Sequence, residues 1–307
     1  MQGTVIKSTG SWYKVRTKEF KVYECRIKGK FRVKGIKSTN PVAVGDIVSF
    51  ELELNKETGV INKIHDRKNY IIRKSVNLSK QTHIIAANID TAFLMVTLEN
   101  PKTYTAFIDR FLASAEAYRI PVVILFNKID TYDADLLAEK NHLQEIYETI
   151  GYTCIDISAK EGTNVAKVKE LMKDKTSLFS GHSGVGKSTL INAIEPELNI
   201  KTKPVSEVHN QGLHTTTFAE MYSLHFGGFI IDTPGIKGFG VVDFSKEEVG
   251  DYFLEIFALK EKCKFNNCLH VNEPKCAVIE AVEEGSIAES RYVNYLQLLD
   301  NEDSPYR

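Results

Sequence analysis

Hydrophobic and polar positions alternate with a period of two through the first sixty-odd residues, and the pattern changes at Ile89. The early β-rich runs are Gly3–Ile6, Trp12–Arg16, Lys21–Ile27, Ile47–Leu54 and Val60–His65. Turn signals separate them: Thr9-Gly10, Lys28-Gly29-Lys30, Asn40-Pro41, Val44-Gly45-Asp46 and Thr58-Gly59. Five short strands at this spacing predict a small barrel. Residues 66–88 show no clear period and read as a basic connector with Arg67, Lys68, Arg73, Lys74 and Lys80.

From Ile89 onward, buried strands alternate with amphipathic helices, the pattern of an α/β domain built on a parallel sheet. The predicted strands are Ala92–Leu98, Val122–Phe126, Thr153–Ile157 and Ser177–Ser180, and the helices cover 104–118, 134–150 and Lys187–Ile194. Residues 201–217 lack a period and read as a loop. Phe218–Phe226 and Gly228–Ile231 follow as a hairpin. The end of the chain reads as helical, with Ser286-x-x-Glu289 as a capping box that opens a helix presenting Val293, Leu296 and Leu299 on one face.

Charge sharpens this division. The 307-residue chain has a net charge of -1, yet residues 1–80 hold 18 Lys and Arg against 7 Asp and Glu, leaving 21 against 33 for the rest. A basic head on an acidic body fits a phosphate-backbone partner, and a solvated basic face explains it too. A basic barrel carrying Trp12, Tyr13, Phe20, Tyr23 and Phe31 resembles an OB-fold, which binds RNA by stacking and backbone charge. Those aromatics serve equally well as barrel core. No apolar run is long enough to span a bilayer and the start MQGTVIKSTG has no signal-peptide core, so a cytoplasmic protein with no membrane partner is expected.

The chemistry centres on Gly181-His182-Ser183-Gly184-Val185-Gly186-Lys187-Ser188, a strict G-x-x-x-x-G-K-[ST] phosphate loop, with Thr189 in the following turn. It lies where a strand must turn into a helix, so backbone N–H groups can converge on an anion at the helix start. Lys187 would reach the β- and γ-phosphates and the Ser188 hydroxyl would ligate Mg2+. Two strand ends carry polar tetrads or triads: Asn127-Lys128-Ile129-Asp130 and Ser158-Ala159-Lys160. Guanine presents N1–H and N2 amine donors side by side, and the Asp130 carboxylate can accept both, while adenine offers no such pair. The Asn127 amide would help hold the loop and the O6/N7 edge, the Lys128 stem would cover the ring, and a backbone N–H near Ala159 would donate to O6. Asp232-Thr233-Pro234-Gly235 ends a strand. Asp232 would hold Mg2+ through water, Gly235 would give an N–H to the γ-phosphate, and Thr216 from the run Thr215–Thr217 would complete the Mg2+ shell.

Five cysteines are an odd count, and three cluster late in the chain. Cys263, Cys268, His270 and Cys276 supply three thiolates and one imidazole, the set for a closed structural Zn2+ site, with packing cysteines as the alternative. Cys25 and Cys154 read as ordinary buried thiols.

The order of these parts is distinctive: the guanine motifs precede the phosphate loop and the DTPG switch, whereas Ras-like GTPases have the phosphate loop first. With QTHIIAANID, VSEVHNQGLHTTT, DTPGIKGF and the cysteine spacing, the whole chain resembles the circularly permuted RsgA (YjeQ/YloQ) family of ribosome-assembly GTPases. The resemblance implies GTP and GDP as ligands. It also implies binding to the small ribosomal subunit, contact with rRNA by the barrel and zinc domain, GTPase stimulation by the subunit, and action late in its maturation. The expected domains are an OB-fold-like barrel (1–67), a permuted α/β GTPase domain (68–242) and an α-helical zinc-binding domain (243–307), in a monomer. The water-orienting Gln of Ras-like proteins is replaced by Ile236, so slow intrinsic turnover is expected, with His214 as the candidate to position water. A GTP-gated RNA-binding switch with incidental hydrolysis is the alternative; a metabolic P-loop kinase is opposed by the guanine motifs. The DTPG switch leads directly into the last domain, so nucleotide state is expected to reposition that domain.

Overall fold

The computed structural model describes residues 1–27, 41–54, 56–74, 82–200, 219–232 and 245–300, with only the backbone of residues 73, 74, 82, 83 and 232. His214, Thr216, Gly235, Ile236 and Phe31 lie outside the described residues.

The first five strands are β1 (Gln2–Ser8), β2 (Tyr13–Thr17), β3 (Val22–Ile27), β4 (Ile47–Leu52) and β5 (Thr58–Ile64). They run in the order β1-β2-β3-β5-β4, and β4 pairs back to β1, which closes the barrel. Only the β3–β5 pair is parallel. Period-two alternation sends Val5, Val15, Val48, Phe50 and Ile61 fully inward. The aromatics divide between the two predicted roles. Tyr13 is buried and Tyr23 packs 5.5 Å from Phe50, whereas Trp12 and Phe20 are exposed.

The connector is more ordered than its sequence suggests. β6 (Tyr70–Lys74) and β7 (Thr82–Ala87) form an antiparallel pair. Arg67, one of the basic residues of this connector, has a buried side chain: Nε and Nη2 each donate to Asp46 at 2.6 Å, and Nη2 also reaches Pro41 O at 2.8 Å. Gly45 brings this turn onto β7, where a Cβ would sit 2.0 Å from Ala87 O.

The central domain comprises β8 (Thr91–Val96), α1 (Thr105–Ala117), β9 (Val122–Asn127), α2 (Ala134–Ile150), β10 (Thr153–Ile157), α3 (Val165–Met172), β11 (Thr176–Ser180), α4 (Lys187–Ile194), β12 (Glu220–Ser223) and β13 (Phe229–Asp232). Its sheet order is β10-β9-β8-β11-β13-β12, parallel except for β12. Leu94, Ile124 and Ile231 face Ile108, Leu112 and Tyr147 on one side. Phe93, Leu125 and Phe179 face Val168, Met172 and Leu190 on the other. Helix α3 has no counterpart among the predicted elements, although Val165, Val168 and Met172 carry its buried stripe. β12 also pairs with β1 at Lys7 and Glu220, whose side chains form a 3.0 Å ion pair, so one sheet runs through barrel and central domain.

The last segment contains α5 (Lys246–Val249), α6 (Leu254–Phe257), α7 (Ala277–Glu283) and α8 (Glu289–Asp300). The expected capping box at Ser286 is not formed, because α8 begins at Glu289 itself. A capping box occurs instead at α5, where Glu248 accepts the Ser245 N–H at 3.3 Å. The face of α8 expected to be buried is only part of what is. Leu299 is buried and Leu296 packs against the same core, but Val293 is exposed and Arg291, Asn294 and Tyr295 are buried.

The reason is a buried polar knot. Asp109 of α1 accepts from Tyr147 (2.7 Å), Arg291 (2.7 Å) and Asn294 (2.6 Å), while Arg291 also grips Glu255 at 2.7 and 3.0 Å. Arg291 further lies 4.6 Å from the Phe253 ring. Burying these charges is tolerable only because each is paired and hydrogen-bonded, which fixes one docking geometry of α8 on α1.

Candidate nucleotide site and metal centre

The parallel register places the carboxyl ends of β9, β10, β11 and β13 at one edge of the sheet, where α/β domains bind ligands. Asn127 ends β9 opposite Ile157, so the NKID and SAK segments are neighbours. Ser180 ends β11, and the phosphate loop follows directly into α4. Asp232 ends β13 one residue beyond the Leu178–Ile231 pair, beside that loop.

The loop adopts the backbone that its glycines permit, with φ of 141° at Gly181, 86° at Gly184 and 101° at Gly186. At Gly186 a Cβ would also fall 2.4 Å from Asn127 Nδ2. Val185 is buried and anchors the loop, Gly181 and His182 are half-buried, and Ser183 and Gly184 are exposed at its tip. Lys187 Nζ donates to Gly181 O (2.6 Å) and His182 O (2.7 Å), and burial lowers its pKa. Ser188 is half-buried and Thr189 exposed in the first turn of α4. The His182 ring packs 4.0 Å from Phe107 at the start of α1.

Asn127 is the tie between the motifs. Its Nδ2 donates to Val185 O at 2.7 Å and its Oδ1 accepts from Ala159 N–H at 3.0 Å. Both ends of the amide are thus used to hold loops, and Ala159's own amide is engaged by Asn127. Ser158, fully buried, accepts the Glu161 N–H at 3.0 Å and shapes the SAK turn. Lys160 is exposed and pairs with Glu161. Asp130 is exposed on the short 3-10 turn Ile129–Thr131 that follows β9. Lys128 takes a left-handed backbone (φ 69°) and donates to Asn100 O; burial lowers its pKa, with Asp130 and Glu99 opposing. Tyr132, which the sequence reading did not single out, bridges two strand ends: its hydroxyl donates to Asn127 O (2.9 Å) and accepts from Leu98 N–H (2.9 Å).

Cys263, Cys268, His270 and Cys276 converge, with all four ligand atoms within 4.8 Å of one another. The gaps are 3.6 Å from Cys263 Sγ to His270 Nδ1, 3.9 Å from Cys263 Sγ to Cys276 Sγ, and 3.3 Å from His270 Nδ1 to Cys276 Sγ. A tetrahedral ion with metal–sulfur bonds of about 2.3 Å has sulfur–sulfur edges of roughly 3.8 Å, so the donors fit that geometry. Burial raises the Cys268 thiol to about 12 and also raises Cys276, while it lowers His270. The loop is braced by Glu273, which accepts the N–H groups of Leu269, Val271 and Asn272, and by two α8 tyrosines. Tyr292 donates to His270 O (2.6 Å) and Tyr295 to Leu269 O (2.7 Å). Cys25 and Cys154 are buried apart from this cluster, with thiols raised to about 11 and about 12 by burial.

The family model described as RsgA GTPase matches residues 64–242, and that described as RsgA N-terminal domain matches residues 2–61. The chain belongs to the RsgA GTPase family. Relatives named small ribosomal subunit biogenesis GTPase RsgA include that of Christiangramia forsetii, 65% identical over 100% of this chain and 98% of its own length. The one from Flavobacterium psychrophilum is 60% identical over 100% of this chain and 95% of its own. Among solved structures, YjeQ from Thermotoga maritima superposes with a TM-score of 0.78 at 36% identity, covering 97% of this chain and 96% of that one. YloQ, described as a circularly permuted GTPase, gives 0.77 at 32%, covering 100% and 96%. The RsgA architecture accounts for the permuted order of the motifs and for the barrel ahead of them. No helix among the described residues is long and apolar enough to cross a membrane.

Proposed function

We propose that this chain binds the small ribosomal subunit, hydrolyses GTP under stimulation by it, and acts late in its maturation in the cytoplasm. The observation that carries this reading is the full-length identity to proteins named for that role, together with the Asn127 tie that joins guanine-reading and phosphate-binding loops into one site. GTP and GDP would lie along the sheet edge. Asp130 accepts the N1–H and N2 amine of guanine, the Lys128 stem covers the ring, and the Lys160 amide, next after the engaged Ala159, donates to O6. The phosphate-loop amides cradle the phosphates. Lys187 leaves its two carbonyl partners for the more strongly accepting β- and γ-oxygens.

Ser188, Thr216 and, through water, Asp232 would hold Mg2+, which when bound neutralises charge on the β- and γ-phosphates. Gly235 N–H would meet the γ-phosphate and His214 would position the attacking water. The Cys3His cluster would hold one structural Zn2+, leaving no open position for chemistry. The division at 1–67, 68–242 and 243–307 is supported by the change from closed barrel to parallel sheet to helices. The chain acts as a monomer whose barrel and zinc domain contact rRNA.

A sedimentation assay tests the partner. Small subunits should carry the chain with a GTP analogue more than with GDP, and large subunits should carry little. Equal recovery with both subunits would defeat the reading. The alternative of an RNA-binding switch with incidental hydrolysis is not favoured, since the family and the relatives are named as GTPases.

A further inference from the structure

The β2–β3 connection is a three-residue hairpin loop, closed by Thr17 N–H donating to Lys21 O at 2.9 Å. Its last residue, Phe20, has φ 65°. That position ends a type I turn in the left-handed region, where glycine is unstrained and a bulky side chain is an outlier. Packing does not repay the strain, since Phe20 is 74% exposed. Among the described residues its ring is met by Arg16, whose guanidinium lies 4.6 Å from the Phe20 centroid. The same guanidinium lies 5.1 Å from Phe229 of β13 and donates to Ser223 Oγ of β12 at 2.5 Å. One guanidinium thus lies close to the rings of both Phe20 and Phe229 across the seam between barrel and central domain. These three side chains line an open groove of about 950 Å³. The groove is lined by three cations, Arg16, Lys18 and Lys21, against the two carboxylates Glu19 and Asp174.

We infer that this seam groove is a binding site for single-stranded RNA, in which a nucleobase stacks on the exposed Phe20 ring and Lys18 and Lys21 meet the flanking phosphates. An exposed ring already backed by a guanidinium, with lysines on either side of it in the chain, is the arrangement that binds bases without reading their sequence. The site is at the opposite end of β2 from Trp12, so it is separate from any contact made by the β1–β2 loop. The inference rests on the proposed RNA partner and adds a defined place for it.

The test is fluorescence anisotropy of the full chain with 5′-fluorescein-labelled hexauridylate and hexaadenylate at low salt, with sedimentation on small subunits as a parallel arm. Phe20→Gly should weaken oligonucleotide binding about fivefold or more, from the loss of one stacked base. It should also leave the melting temperature equal or higher, because glycine relieves the left-handed strain. Phe20→Trp should retain binding, and Lys18→Gln with Lys21→Gln should flatten the salt dependence while Phe20→Gly does not. Unchanged oligonucleotide affinity in Phe20→Gly would overturn the inference. So would failure of the unmodified chain to bind either oligonucleotide; subunit binding in that case would leave the wider reading standing.

Discussion

The side chain of Asn127 donates to the carbonyl of Val185 at 2.7 Å while accepting the amide of Ala159 at 3.0 Å, so one buried residue ties the NKID, SAK and GHSGVGKS segments together. Asn127→Ala would leave a carbonyl and an amide unpartnered. Each such buried group costs about 1–3 kcal/mol. The expected result is a lower melting temperature and weaker binding of both GDP and GTP analogue, read by calorimetry. Unaltered nucleotide affinity with a lowered melting temperature would confine Asn127 to stability.

In the proposed reading Asp130 sets base identity. In Asp130→Asn, an amide N–H2 replaces one acceptor and meets the N2 amine of guanine as a second donor. Xanthine carries an oxygen there. Affinity should move from GDP toward XDP by roughly 1–3 kcal/mol, about five- to 150-fold, for one such mismatched pair. A variant that still prefers GDP would contradict the role given to this carboxylate.

Metal binding should depend steeply on pH. Burial holds the Cys268 thiol up at about 12 and raises Cys276, so both carry protons at neutral pH in the metal-free fold and release them on ligation. Raising the pH removes the competing protons, so affinity rises. Each proton released contributes about tenfold per pH unit, so these two alone give about a hundredfold and a third thiol adds to it. Competition with a chelator of known affinity at pH 6.5 and 7.5 measures this, and a flat profile would exclude thiolate ligation.

Much of this molecule was legible in its sequence because periodicity and motif spacing are local properties. The five barrel strands, the β9 and β10 ends and the phosphate loop all lie where local pattern puts them. What was not legible depends on distant partners. The roles of Arg67 and Arg291 come from Asp46 and Asp109, 21 and 182 residues away, and a charged residue reads as solvated until its partner is known. The cap at Ser286 failed because the helix starts later than the motif implies. Helix α3 is short, and its three buried positions are too few for the period to stand out.

Arg291→Met should therefore be among the most damaging substitutions outside the nucleotide site. It strands the Asp109 and Glu255 carboxylates, and breaking a buried pair costs about 3–5 kcal/mol. Urea unfolding should show that loss, with hydrogen-exchange protection lost first in residues 245–300. With the knot intact, nucleotide-driven motion of the last domain has to carry α1 with it. Identical protection of that segment in GDP and GTP-analogue states would contradict such motion.

The most direct test of the central claim is GTP hydrolysis at fixed Mg2+, with and without purified small ribosomal subunits, using ATP and large subunits as controls. The account predicts slow intrinsic turnover of GTP, strong stimulation by small subunits alone, and no use of ATP. Equal hydrolysis of ATP, or stimulation by both subunits alike, would contradict it.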